Sequence, residues 1–351
     1  MIIIDGSYGE GGGQVLRSSL SLSALTGQAV RIEKIRAGRR KPGLQAQHLT
    51  GVLAAARLCD AVLEGARFGS TTLTFTPQKP PQAGEYRFDV AEQRKGGSAG
   101  STALVLHTVI LPLAWASGES KVTVRGGTHV AWSPPFHHLD QVYLGMLRRL
   151  GADSRAKVGR YGWYPRGGGE VTVWVTGAAE RSFKPQPLEE RGELRRLWGL
   201  SAYSNLPAHV GNRQKERAFR LLREAGLHPR LEVLRAPSAG IGTAVILVAE
   251  CDHVLAGFSA LGARGKPAEE VAEEACQHFL RWWQSGAAVE MHLADQLLLP
   301  LALADGVSTF TTCRITQHLL TNAWVVQHFL PVEIDVEGKE GEPGRVHLRP
   351  G

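Results

Sequence analysis

The segment GSAGSTALVLHTVILPLAWASG, residues 97–118, reads as a turn of small residues feeding an apolar helix that runs out at Ser117-Gly118. The same order of features occurs twice more. GQVLRSSLSLSALTG (13–27) ends in Thr26-Gly27, and LADQLLLPLALADG (293–306) ends in Asp305-Gly306. After each comes a strand pattern, a second helix and two further strands. In the first copy these are QAVRIEKIRAG, GLQAQHLTGVLAAARLC, VLEGARFG and TTLTFTP. In the second they are SKVTVRGG, FHHLDQVYLGMLRRLG, DSRAKVGRYG and GEVTVWVTG. In the third they are VSTFTTCR, TQHLLTNAWVVQHFL, VEIDVEG and GRVHLRP. Self-similarity of this kind marks a repeated supersecondary unit. Helices mixed with short strands make a sheet covered on one face the natural unit, so the fold class is α+β.

The glycines that close the first helices set the spacing. Gly27 and Gly118 are 91 residues apart and Gly118 and Gly306 are 188 apart, so roughly one extra domain lies between the second and third copies. Its expected extent is 183–285, with Pro185 and Pro187 as a linker. It reads as strand, helix, two strands and a long amphipathic helix, a smaller α/β insert. The expected organisation is a discontinuous three-repeat domain, 1–182 and 286–351, interrupted by that insert.

Composition narrows the function classes. The chain has 351 residues, a formal net charge of +7 and a pI near 9.4, a balance that suits an anionic partner such as nucleic acid or nucleotide. Its four cysteines (Cys59, Cys251, Cys276, Cys313) include no C-x-x-C pair, which speaks against a zinc knuckle or a redox dithiol. The start MIIIDG lacks the basic and long apolar regions of a signal peptide. The longest apolar run, ALVLHTVILPLAWA, is broken by His107 and Pro112 and is too short to span a bilayer. A cytoplasmic protein is expected.

Four clusters have the residue types of a phosphate site. In DGSYGEGGGQVLRS (5–18), Gly11, Gly12 and Gly13 precede a helix with Leu16, Leu20 and Ala24 spaced four apart. Such a turn exposes unpaired backbone N–H groups at the positive end of the helix dipole. Neither a Walker loop nor a dinucleotide fingerprint is present. The glycines alone fit a tight turn and an anion cradle equally well. Glu10 and Arg17 tilt the balance: a carboxylate beside phosphate needs a metal between them, and Gln14 and Arg17 share one face of the first turn. RAGRRKPGLQAQH (36–48) puts Arg36, Arg39, Arg40 and Lys41 ahead of a helix with Gln47 and His48. It fits a solvated basic turn, or an arginine clamp on phosphate. QRKGGSAGSTALVLH (93–107) repeats the small-residue turn in the second unit. In ITQHLLTN (315–322), Thr316 reads as an N-cap, which puts His318 in a first helical turn. That position favours neutral imidazole, the nucleophilic form. A capping or core histidine is the plain alternative, since His48, His137 and His138 lie near the second helices of the other repeats.

Taken together, DGSYGEGGGQVLRS, RAGRRKPGLQAQHLT, GSAGSTALVL, GGT…PP, YPRGGGEV, HLADQLLLP and HLLTN resemble the RNA 3′-terminal phosphate cyclase family, from residue 5 to residue 322. The resemblance implies three repeated units of helices on a four-stranded sheet, similar to the C-terminal domain of a bacterial translation initiation factor, with an inserted domain before the last. It implies an ATP-dependent enzyme, a ligase-class nucleotidyl transferase, that turns an RNA 3′-phosphate into a 2′,3′-cyclic phosphate through histidine–AMP and RNA–ppA intermediates. His318 is the nucleophile on this reading. Glu10 holds a divalent metal (Mg or Mn). Arg17, Arg36, Arg39 and Gln47 bind ATP and RNA phosphates, together with Gly11, Gly12, Gly13 and Gln14. His292, Leu293, Ala294, Asp295 and Gln296 line the nucleotide site, with Asp295 orienting His318 or the ribose, and Phe258 stacks on adenine. His107 and His292 stand where the family usually has glutamine and often tyrosine. The implied partners are ATP and RNA with a 3′-phosphate end, with no membrane. A non-enzymatic branch of the family, a ribosome-assembly factor, keeps the fold without the histidine nucleophile and is the alternative function.

Overall fold

Each apolar first helix connects two parallel strands. The first unit runs β1 (Ile2–Asp5), α1 (Gly13–Thr26), β2 (Val30–Glu33), α2 (Ala46–Cys59), β3 (Val62–Glu64) and β4 (Leu73–Thr76). The second runs β5 (Glu85–Asp89), α3 (Thr102–Ala114), β6 (Glu119–Gly126), α4 (Phe136–His138), α5 (Leu144–Leu150), β7 (Asp153–Arg160) and β8 (Gly169–Thr176), with a π-helical turn, Leu139–Tyr143, joining α4 to α5. Then come β9 (Pro187–Leu188), β10 (Leu194–Ser204), α6 (Ala208–Glu224), β11 (Arg230–Arg235), β12 (Gly242–Cys251), β13 (Leu255–Leu261) and α7 (Ala268–Ser285). The chain closes with α8 (Met291–Ala302), β14 (Ser308–Thr312), α9 (Gln317–Phe329), β15 (Val332–Glu337) and β16 (Gly344–Pro350). This computed structural model describes residues 1–94, 96–177 and 183–351.

Three sheets share one wiring: β1-β2-β4-β3, β5-β6-β8-β7 and β9-β14-β16-β15. In each the first pair is parallel and the other two pairs are antiparallel. A parallel pair needs a crossover, which α1, α3 and α8 supply. The α+β repeat expected from the sequence is therefore present, with one addition. Every unit opens with a strand, β1, β5 or β9, that the helix-first reading left out. These strands are four, five and two residues long, too short for a periodic signal.

The helix-ending glycines need a correction. Gly27 does cap α1 in the left-handed conformation, but α3 stops at Ala114 and α8 at Ala302, each four residues before its glycine. Pro112 and Pro300 stand in the last turns of these helices. A proline ring clashes with the carbonyl four residues back and supplies no N–H, which weakens the turn before it, and both helices end two residues after their proline. Gly118 and Gly306 serve the turns into the next strands, and they hold the same place in both units.

Residues 194–285 carry a fourth sheet, β11-β10-β12-β13, with α6 and α7. The strand β13 was not expected from the sequence. Pro187–Leu188, inside the span expected for the insert, pairs with Thr309 and Phe310 of β14, so β9 belongs to the third sheet. The expected boundary at 182 falls on residues outside those described. Burial follows the strand period: in β8, Val171, Val173 and Val175 are buried while Glu170, Thr172 and Trp174 are half-exposed.

Candidate active site

The glycine loop before α1 and the start of α9 meet face to face. Thr316 caps α9 as expected, its Oγ1 accepting from the Leu319 N–H at 3.1 Å, which sets His318 in the first turn. The loop approaches α9 closely. A Cβ on Gly9 would lie 2.1 Å from Thr321 Oγ1, and Gly9 has φ +61°, so only glycine fits there without strain. Tyr8 stacks on Trp324 with ring centroids 4.0 Å apart. Some 300 residues of sequence separation are closed by these two contacts.

Glu10 then faces His318. Glu10 Oε2 lies 3.2 Å from His318 Nε2 and pairs with Arg39 Nη2. The other oxygen, Oε1, is buried with no hydrogen-bond partner, as is His318 Nδ1. Gly12 has no side chain because a Cβ there would sit 2.1 Å from Glu10 Oε1 and 2.8 Å from Arg39 Nη2. Glu10 rather than Asp295 is thus the carboxylate beside His318. Burial lowers the His318 imidazole below the usual 6.5; Glu10 opposes this, while Arg17, His292 and Arg39 reinforce it. The imidazole is neutral at pH 7, which is the nucleophilic state. The acid limb of any reaction in which His318 attacks should therefore fall below pH 6.5, as a single-turnover pH–rate profile would read.

Arg17 is set behind this pair, and burial pushes its guanidinium down to about 10 against the pull of Asp295 and Glu10. A polar relay ties it across three helices. Arg17 Nη2 donates to Gln14 Oε1 (2.6 Å), and Gln14 Nε2 donates to Ser18 Oγ (3.2 Å). Ser18 Oγ donates to Asn322 Oδ1 (2.5 Å), and Asn322 Nδ2 donates to the Asp295 carbonyl (2.6 Å). Sequence reasoning gave no role to Ser18 or Asn322. The signal was a buried-face asparagine inside HLLTN.

The Asp295 carboxyl is buried and raised to about 8, mainly by burial, with Arg17 opposing. A carboxyl raised on folding stabilises the fold below its unfolded pKa, near 3.8, and that contribution is lost as pH rises toward 8. Asp295→Asn should flatten the fall in melting temperature between pH 5 and pH 8.5; an unchanged slope would remove Asp295 as its source. Glu290, also missed, caps α8 by accepting from the N–H groups of His292 (2.8 Å) and Leu293 (2.6 Å). An acid just before an apolar helix was its signal. Burial raises it to about 7.

The remaining expected residues divide. Arg39 is at the site. Arg36 lies within electrostatic reach of Glu10, Arg39 and His48, and its Nη1 donates to the Lys41 and Gly43 carbonyls (2.6 and 2.9 Å), which fixes its loop. Gln47 Oε1 accepts from the Ser101 N–H (2.8 Å), so it fastens α2 to the loop before α3. The first turn of α1 has no side-chain cap at Gly12 and no acid, so its amides remain open to an anion, whereas the Gly11 N–H is used by the Tyr8 carbonyl. His48, not among the expected site residues, sits against Gly13 beside Arg17. His107 stacks on Tyr143 (4.5 Å) with Nε2 buried and unpartnered, and burial lowers it to about 3. His292 is surface-accessible yet enclosed, and the enclosure, with Arg314, lowers it. Gln296 Oε1 is buried and unpartnered nearby on α8. Leu293 and Ala294 are fully buried core residues. Phe258 is a correction. Its neighbour Gly257 abuts His138, so strand alternation turns Phe258 the other way, against Phe279 and Trp282 at 5.4 Å each. The ring is 7% exposed and offers no face to an adenine.

A metal ion fits the donor set in one way. Among the described residues no group of three or more His, Cys, Asp or Glu stands ready to hold one. Glu10 Oε1 is a buried carboxylate oxygen without a hydrogen-bond partner. An ion bound there would take the rest of its shell from phosphate and water, as magnesium commonly does.

A family model described as RNA 3′-terminal phosphate cyclase matches residues 8–336. The chain belongs to the RNA 3′-terminal phosphate cyclase family. It is 52% identical over 354 residues to the RNA 3′-terminal phosphate cyclase of Methylococcus capsulatus, covering 100% of this chain and 97% of that one. The protein of that name from Nostoc punctiforme is 50% identical over 96% of each chain. That of Pyrococcus furiosus is 41% identical over 99% of this chain and 98% of its own. Among solved structures, the enolpyruvyl transferase NikO from Streptomyces tendae matches with TM-score 0.37 and 10% identity, over 100% of this chain and 48% of that one, a likeness too remote to carry an argument. At about 50% identity over nearly the whole chain to proteins of that name, this cyclase-family chain is an enzyme. Among its described residues no helix is long and apolar enough to cross a membrane.

Proposed function

We propose that the chain converts an RNA 3′-terminal phosphate to a 2′,3′-cyclic phosphate at the expense of ATP, through covalent histidine–AMP. The observation that carries this is His318 Nε2 at 3.2 Å from the Glu10 carboxylate, in a member of the cyclase family. In the first step an imidazole nitrogen of His318 attacks the α-phosphorus of ATP, forming a P–N bond and releasing pyrophosphate. In the second, an oxygen of the RNA 3′-phosphate takes the AMP from histidine. In the third, the adjacent 2′-oxygen attacks that phosphorus, AMP leaves and the ring closes.

The residues suit these steps. A terminal phosphate monoester lacks a good leaving group, and AMP supplies one. Ring closure is intramolecular, worth up to ~7–11 kcal/mol of the barrier when the ends are oriented. What the protein must do is position and neutralise charge. Arg17, fixed by Gln14, and Arg39 would take phosphate oxygens, together with the uncapped amides of α1. Nδ1 of His318 is buried, so Nε2 is the nitrogen toward the reactants, and attack from it requires the proton of the neutral ring to sit on Nδ1 and the Glu10 carboxylate to turn away toward a cation such as Arg39. Glu10 would hold a divalent ion, whose contribution when bound is to neutralise phosphate charge. Residues 1–182 and 286–351 serve as the catalytic unit on this reading and 183–285 as the insert, with β9 assigned to the catalytic unit. The test is incubation with α-labelled ATP and a divalent metal: acid-labile label on the wild-type chain is expected, and its absence from folded protein would overturn the reading.

A further inference from the structure

We propose that the loops gathered around Trp163 form a stacking platform for bases of the RNA strand upstream of its 3′-phosphate; this rests on the RNA-substrate reading above. Trp163 is nearly fully buried and pins three loops together. Its backbone bridges His129 and Gly167, its indole Nε1 donates to Ser204 Oγ (2.9 Å), and Gly242 abuts its ring. Each loop then presents one large apolar side chain to solvent: Trp132 (99% exposed), Tyr164 (76%) and Ile241 (65%). Trp132 holds a φ of +62°. A bulky residue in the left-handed region is strained, and Trp132 gains no packing in return, so the fold itself has no use for it.

The charge around these side chains selects the partner. Residues 127–135, 161–168 and 236–242 contain no Asp or Glu, while Arg166 and the adjoining Arg160 are exposed. Arg166 Nη1 donates to the Ala239 carbonyl (3.0 Å) and Arg160 lies across the strands from Glu170, yet both side chains remain exposed. Aromatic faces beside exposed guanidinium groups suit single-stranded nucleic acid: bases stack without sequence preference and arginines meet the backbone phosphates. A protein partner would gain little from loops that carry no acid on a chain whose substrate is already a polyanion.

The platform is joined to the catalytic cleft. Gly167 abuts Ser98 and Ala99, and Gly100 abuts Gln47. The neighbour of Gln47, His48, lies against Gly13 and beside Arg17. The loop that carries Tyr164 is therefore joined, segment to adjoining segment, to the cleft at Arg17 where the 3′ end of a strand would lie. Beneath the loops a buried network keeps them rigid. The Gly162 N–H donates to Thr128 Oγ1 (2.9 Å), Thr128 Oγ1 meets His129 Nδ1 (2.8 Å), His129 Nε2 meets His137 Nδ1 (3.2 Å), and His137 Nε2 meets the Tyr161 hydroxyl (3.3 Å).

The test compares two probes on the full chain, uridine 3′-monophosphate and a 3′-phosphorylated oligoribonucleotide of about ten nucleotides. Trp132→Ala with Tyr164→Ala should weaken the oligonucleotide about tenfold, within the range for a lost base stack, and leave the mononucleotide and AMP labelling unchanged. Trp132→Phe should restore much of the loss, and 5-iodouridine placed upstream of the end should crosslink to Trp132 or Tyr164. Equal oligonucleotide affinity in wild type and double variant would overturn the platform, as would crosslinks that fall only elsewhere. Missing AMP label in the wild type would strike at the proposed reaction instead, since both probes are read by binding alone.

Discussion

His318→Ala takes up no AMP from α-labelled ATP, while its melting temperature stays close to wild type. The expected loss is on the order of a thousandfold or more, because removing a covalent nucleophile removes the step and not merely an interaction that assists it. The fold should tolerate the change. The His318 side chain is nearly half-exposed, its Nδ1 makes no hydrogen bond, and the Thr316 cap that starts α9 is a separate residue. A variant that labels as well as the wild type would end the nucleophile assignment. Acid lability of the wild-type label distinguishes histidine from a hydroxyl acceptor, and its survival in alkali and hydroxylamine, as a histidine P–N bond should show, distinguishes it from a carboxylate. His328, on the same helix, is the natural control, since its Nδ1 lies 2.8 Å from the Trp324 carbonyl, away from the Glu10 pair.

Glu10→Ala is the second large effect. It should slow adenylation roughly a hundredfold, the scale of losing one group that organises charge at a reacting centre, and it should raise the divalent metal concentration needed for half-maximal labelling. Removal of the carboxylate also takes away the one influence that holds the His318 pKa up, so the acid limb of labelling should move to still lower pH. Stability should change little. Arg39 is 45% exposed and can return to water when its partner is lost, and the change also removes the buried, unpartnered Oε1 of a carboxylate that is only 12% exposed. Glu10→Gln, which keeps the shape and a hydrogen-bonding oxygen but not the charge, should fall on the alanine side for metal dependence. Wild-type adenylation in Glu10→Ala would reduce the glycine stretch to a plain turn.

The two halves of the site were unequally legible. His318 could be placed in a first helical turn because an N-cap threonine followed by an apolar run is a local signal. Glu10 and Arg17 stood out because charged residues flank glycines at a helix start. Their meeting was implied by the family resemblance and not by any local pattern. It depends on Gly9 admitting Thr321 and on Tyr8 lying flat on Trp324, contacts between segments about 310 residues apart that leave no periodic trace. Arg36 and Gln47 show the converse. Both have the chemistry of phosphate ligands and both are held by backbone groups, because a guanidinium or amide takes whichever partners its loop brings within reach. Phe258 was misread for the same reason: an aromatic between small residues fits a stacking site and a core strand equally well, and only the face it occupies separates them.

By itself the sequence determined the α+β repeat, the presence of an extra segment between the second and third copies, and the chemical types gathered at the helix starts. These follow from local patterns, namely apolar spacing, caps and turn residues, that act over a few positions. The tertiary structure alone decided that each unit opens with a short strand, and that Glu10 rather than Asp295 faces His318. It also decided that Ser18 and Asn322 relay Arg17 to α8, and that Trp132 and Tyr164 are left in solvent. Those outcomes depend on which surfaces are pressed together across the chain, where close packing and buried hydrogen bonds choose among arrangements that the local patterns leave equal.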